Sequence, residues 1–144
     1  VSRTRRVGDV DLQVVDFTIN SGSLFDLKAL ERIGWHDPGF FIDGVDYAYC
    51  LAAARAGYLI GEIAETPGLN HSSEQDDSRY SFFGYSFSGR RYPKYRRKDF
   101  YRSSFRLIRD AMGIDARRAS WLFRSLVFYW IVQTIIPFSK KVVD

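Results

Sequence analysis

Three rhythms of hydrophobic and polar residues divide this chain. From Val14 to Asn20, "VVDFTIN", Val15, Phe17 and Ile19 alternate with Asp16, Thr18 and Asn20, which predicts a strand with one buried face. The turn-forming "NSGS" stops it. Ser23 then stands as an N-cap with Asp26 three residues on, a variant of the capping box. Leu24, Leu27, Leu30 and Ile33 follow at helical spacing, and Gly34 supplies the stop. After the loop "WHDPGF", residues 44–56 carry Val45, Tyr49, Ala52 and Ala56 on one stripe, a helix that Gly57 ends. "YLIGEIA" reads as a second strand, "GLNH" extends the sheet or leads off it, and residues 72–89 read as a long loop.

From Arg91 to Met112 the rhythm is helical again, with Tyr101, Phe105, Ile108 and Met112 predicted on one face among arginines. Gly113 breaks it, and Asp115 caps a last helix that runs from about Ala116 to Ile136 and stops at Pro137. The apolar core of that helix, "SLVFYWIVQTIIPF", falls short of the roughly 20 residues a membrane span needs. Arginines precede it and Lys140 and Lys141 follow, so an interfacial or docking role is expected rather than a span.

Charge sharpens the division. Residues 1–89 hold 7 Lys/Arg against 13 Asp/Glu, a net of −6, whereas residues 90–124 hold 12 against 3, a net of +9. An acidic half followed by a basic, aromatic half suggests two jobs, or one site and one docking surface. We therefore divide the chain into a first part, residues 1–89, and a basic helical tail, residues 90–144. The single cysteine, Cys50, forms no internal disulfide and fits a reducing compartment. No secretory signal opens the sequence, and its first residue is Val rather than Met, so it reads as a piece of something longer.

Four groups of residues carry candidate chemistry. Asp43 and Asp46 open the helix of residues 44–56, where the helix dipole favours negative charge. They are either helix-start acids or, walled by Phe40, Phe41 and Tyr47, a general base and its neighbour or a metal ligand. His71 is either a surface histidine or a ligand for Mg²⁺ or Mn²⁺ with an oxygen partner such as Glu74. The turn from Asn20 to Ser23 either simply turns the chain or presents N–H groups and hydroxyls to a substrate. "GRRYPKYRRKDFYRSSFR" is a solvated basic helix face, a nucleic-acid surface, or a contact for anionic headgroups or a diphosphate. There is no zinc spacing, phosphate-binding glycine loop or nucleophile elbow.

Together, "FTINSGSLFDLKALERIGWHDPGFFIDGVDYAYCLAAARAGYLI" and the later "LNH" resemble the second half of the catalytic domain of family 2 glycosyltransferases. The nearest subgroup is the rhamnosyltransferase-like enzymes of bacterial surface polysaccharides. The match spans roughly Val15 to His71, and "RRYPKYRR" looks like a basic element that often follows. The resemblance implies an α/β fold, the GT-A nucleotide-sugar fold, here a partial mixed sheet with flanking helices and a C-terminal helical tail. It implies inverting transfer from a nucleotide-sugar donor to a cell-envelope glycan or lipid-linked acceptor, at the cytoplasmic, inner face of the plasma membrane.

By motif position Asp46 matches the general base and Asp43 lies beside it. His71 matches a histidine that helps hold Mg²⁺ or Mn²⁺ at the diphosphate. Asn20, Ser21 and Gly22 match the turn lining the sugar and acceptor site, and Arg91, Tyr92 and Arg96 fall in the basic element. The chain departs from the pattern at Ala48, where the family has Glu, and at Ala52, where it has Arg. The family's nucleotide-binding strands and Asp-x-Asp motif belong N-terminal to Val14; "DVD" at Asp9–Asp11 has those letters but lies close to the Ser-Gly strand. This chain alone is therefore expected to be incomplete and inactive. Sheet edges left open would favour pairing with a second copy. The competing expectation is a non-catalytic module that binds a membrane surface or nucleic acid through residues 90–124.

Overall fold

The computed structural model describes residues 3–63, 78–90, 92–136 and 140–141. Its architecture is mixed α/β. Strands β1 (Arg3–Val7), β2 (Val10–Val15) and β3 (Ile60–Ile63) form one antiparallel sheet in that order. Helices α1 (Leu27–Ile33) and α2 (Val45–Arg55) lie between β2 and β3 in the chain. A second antiparallel sheet has the order β5 (Tyr85–Gly89), β4 (Ser78–Phe82), β6 (Lys140–Lys141). Helices α3 (Lys94–Met112) and α4 (Ala116–Ile135) lie between β5 and β6 in the chain.

The first sheet is not built where alternation predicts it. β2 ends at Val15, the residue that pairs with Ile60 at the start of β3. Past that point β3 offers no partner, and the chain is drawn off by its side chains. Asp16 is held by Arg117 at 2.6 Å and Arg118 at 2.8 Å. Phe17 stacks on Trp121 and meets Tyr47 at 5.2 Å. Tertiary contacts thus override the period-two pattern. Asp9 lies in the tight turn joining β1 to β2, and Asp11 pairs across it with Arg6 in the ladder.

Helix α1 also begins later than its apolar spacing suggests. Its N-cap is Asp26, whose carboxylate accepts from Lys28 N at 2.9 Å, while the Ser23 hydroxyl donates back to Ile19 O. Of the four residues in its predicted stripe only Leu30 is buried, and Leu24 and Leu27 face solvent. Residues 78–89, predicted as loop, form the β4–β5 hairpin, whose two turn residues Phe83 and Gly84 both have positive φ. That is the hairpin geometry that loop-like composition conceals.

The main core joins both parts of the sequence: Phe40 and Leu51 meet Leu107 and Ala111 of α3 and Ala119 and Leu122 of α4. Each fully buried Leu contributes about 1.5–3 kcal/mol. Helix α2 buries Tyr49, Cys50, Leu51 and Ala53, residues on more than one side, because it is packed between α3 and the segment after β2. That explains its run of small residues. Gly44 at its N-cap has φ +88, and a Cβ there would stand 2.9 Å from Leu107 Cδ1. Glycine satisfies both the left-handed backbone and the close approach of α3.

On α3 the buried face is Ser103, Ser104, Leu107 and Ala111, whereas the expected apolar face holds the exposed Phe105 and Met112. Small residues win because they let the neighbouring helices approach, and the larger ones are left outside. Asp115 caps α4 as expected, accepting from Arg118 N at 2.8 Å. Its carboxyl is held below the usual carboxylate range, first by that backbone hydrogen bond and also by the Arg118 guanidinium. Among the described residues no helix is long and apolar enough to cross a membrane.

Candidate functional site

The two acids at the mouth of α2 have different surroundings. Asp43 does not cap the helix, since Gly44, which has no side chain to bond the free N–H groups, occupies that position. Its carboxylate instead accepts from Arg96 of α3, at 3.3 Å from Nη2 and 3.4 Å from Nε. The Asp43 side chain is only 19% exposed. Arg96 lies over the Tyr92 ring, 4.5 Å from its centroid, and its own pKa is raised first by the hydrogen bond to Asp43. Tyr92 stacks on Tyr129, which stacks on Phe100 at 3.7 Å. The Tyr129 hydroxyl is pushed well above its ordinary pKa, mainly by burial and next by the negative charge of Asp43.

Tyr92 and Arg96 owe this placement to Gln133. The buried amide of Gln133 on α4 donates to Arg90 O at 2.8 Å and accepts from Tyr92 N at 3.3 Å, fixing the entry to α3. A buried amide with both ends used is a structural clasp.

Asp46 is the first-turn acid of α2 and is half-buried. Among the described residues its carboxylate has no hydrogen-bond or ion-pair partner. It lies one turn before Cys50 on the same side of the helix. Burial, and then the charge of Asp46, raises the Tyr47 pKa. Burial likewise raises the Cys50 thiol, with Asp46 adding in the same direction. Of the aromatic walls expected around it, Tyr47 is half-buried whereas Phe41 is exposed. A carboxylate taken up by no donor among the described residues is placed to receive the proton of a hydroxyl brought to it. Asp43 is already taken up by a guanidinium.

The turn after β2 forms a separate feature. Ser23 N donates to Asn20 O at 3.0 Å and Gly22 has φ +76, a type II turn in which glycine takes the position that demands it. Asn20, Ser21 and Gly22 line a groove of about 750 Å³ together with Phe25, Tyr49 and Cys50. The Asn20 amide donates to His36 Nε2 at 2.6 Å. That ring stacks on Tyr49 at 4.8 Å and meets the Phe25 edge. Neither Asp43 nor Asp46 lines this groove. A second groove, about 860 Å³, includes Asp16, Asp115, Arg117 and Arg118, charges that are taken up by one another.

The structure thus brings Asp43, Tyr92 and Arg96 into one cluster and Asn20, Ser21 and Gly22 into one groove, with Asp46 on the helix between. His71 and Arg91 lie outside the described residues. Among the described residues no three His, Cys, Asp or Glu side chains stand together as a metal site. Sequence reasoning missed His36, Tyr129 and Gln133. A histidine in "WHDPGF" and a glutamine in an apolar helix are visible signals, but their partners are not. The chain matches no protein-family model, no curated protein and no solved structure.

Proposed function

We propose that the chain is the acceptor-side half of an inverting glycosyltransferase of family 2, built on the GT-A fold. The observation that carries the reading is that Asp46, at the first turn of α2, has no hydrogen-bond or ion-pair partner among the described residues, beside an Asp43 that is paired with Arg96. In the proposed reaction Asp46 takes the proton of an acceptor hydroxyl. The hydroxyl oxygen bonds to the anomeric carbon from the face opposite the leaving group, and the nucleoside diphosphate departs with the electron pair of the broken bond. Asp43 and Arg96 hold the start of α2 in place, and the Asn20–Gly22 groove, which Asp46 does not line, receives a part of the acceptor away from the reacting hydroxyl. A cell-envelope glycan or lipid-linked acceptor puts this chemistry at the cytoplasmic face of the plasma membrane.

Mg²⁺ or Mn²⁺ would neutralise the diphosphate in such enzymes. The described residues assemble no donor set for it, so no step here runs through a metal. The test is Asp46→Asn in the native full-length protein, with nucleotide-sugar consumption and product formation followed. Transfer is expected to fall by about 10²–10⁴-fold while circular dichroism stays unchanged. Wild-type turnover in that variant would remove Asp46 as base. Absence of transfer in the wild type across a donor panel would remove the enzyme reading itself.

A further inference from the structure

We propose that the outward face of the α3–α4 hairpin docks on an anionic lipid bilayer surface, both helices lying along it without crossing. The inference rests on the exposed faces of the two helices and needs no assignment of chemistry.

On α3 the positions 95, 98, 102, 105, 109 and 112 recur at three- and four-residue spacing and so form one stripe. It reads Tyr, Lys, Arg, Phe, Arg, Met, and all six are exposed, Phe105 at 65%. It lies opposite the buried stripe of Ser103, Leu107 and Ala111. On α4, Ala119, Leu122, Leu126 and Gln133 turn inward, which leaves Phe123, Val127, Phe128, Trp130 and Ile131 outside, Phe128 at 69%. The two helices share one core, with Phe100 of α3 stacked on Tyr129 of α4, and each turns its exposed residues away from its own buried ones. A face this rich in large apolar side chains is a contact surface.

Its charges select the occupant. Lys98, Arg102 and Arg124 have no ion-pair or hydrogen-bond partner among the described residues. Helix α4 contains no acid, and the two acids of α3, Asp99 and Asp110, lie off the stripe and are half-buried. Arg109 pairs with Asp110. A second copy docked about a two-fold axis would set this cation-bearing face against itself, with no acid on the stripe to answer it. A nucleic acid would use the cations and the rings but would leave Met112, Val127 and Ile131 with nothing to bury them. Anionic headgroups take the Lys and Arg side chains, while the acyl boundary takes the aromatic and aliphatic ones.

The test is co-sedimentation of the full chain with phosphatidylcholine vesicles with and without phosphatidylglycerol. Binding is expected only with phosphatidylglycerol and should weaken with salt. Neutralising Lys98→Gln, Arg102→Gln and Arg124→Gln together should weaken it about 100-fold, near fivefold per cation. Lipids brominated near the acyl boundary should quench tryptophan fluorescence, and Trp130→Phe should remove most of that quenching. No sedimentation with anionic vesicles, or equal binding by the triple variant with unchanged circular dichroism, would overturn the proposal. Salt-sensitive RNA binding without vesicle binding would give the face to nucleic acid instead. A dimer abolished by Phe128→Ser, again without vesicle binding, would give it to a second copy.

Discussion

The helical region and the first sheet solve the same problem with different success. Helices α2, α3 and α4 each bury four residues, whereas β2 and β3 bury none and α1 buries only Leu30. The difference is one of partners. Three helices close on one another around Phe40, Leu51 and Leu107, while the sheet and α1 face a groove of about 750 Å³. Apolar residues stabilise only where something covers them, so stability should concentrate where the helices meet, and local opening should be easiest in the first sheet and α1.

The largest break in this comparison should come from Leu107→Ala. With only 3% of its surface exposed, Leu107 lies at the junction of all three helices, and its truncation should cost about 2–5 kcal/mol. Leu12→Ala, on the half-buried groove side of β2, should cost about 1 kcal/mol. Urea unfolding of both variants checks the contrast, and equal losses would mean that the sheet contributes as much as the helices.

Next comes Gly44→Ala. Its positive φ and the approach of Leu107 predict a loss of about 1–3 kcal/mol, together with loosening of the Asp43–Arg96 contact, since both sit at the start of α2. Thermal unfolding measures the first effect. A mutant as stable as wild type would show that α2 and α3 can separate without cost.

The smallest effect, Asp115→Ala, sharpens the comparison through pH. Losing the α4 cap should cost about 1 kcal/mol at neutral pH. The Asp115 carboxyl has a lowered pKa in the folded chain, so its stabilisation is complete above the ordinary value of about 4 and is lost as pH falls through the lowered one. Wild type and variant should therefore converge in melting temperature on the acid side. A constant gap from neutral to acid pH would contradict the assignment.

How much could be read beforehand follows the same division. The Gly57 stop and the Asp115 cap were legible because each signal acts within a few residues. The end of β2 was not, because Phe17 is claimed by Trp121 far along the chain. The partner of Asp43 stands 53 residues away, and that of Asn20 stands 16 away. Local pattern reports that a charge sits at a helix start. Which cation meets it is decided by how α3 crosses α2.

Asp16 adds a consequence in time. Its partner Arg117 lies 101 residues downstream, so the Asp16 end of the segment after β2 cannot be clamped until α4 has been made. At a synthesis rate of about 5–20 residues per second, that interval lasts roughly 5–20 s. Through it Phe17, Tyr47 and Phe40 wait without the helix that covers them. A nascent chain halted at Gly113 should therefore be a strong chaperone client, and release of twenty more residues should end that dependence.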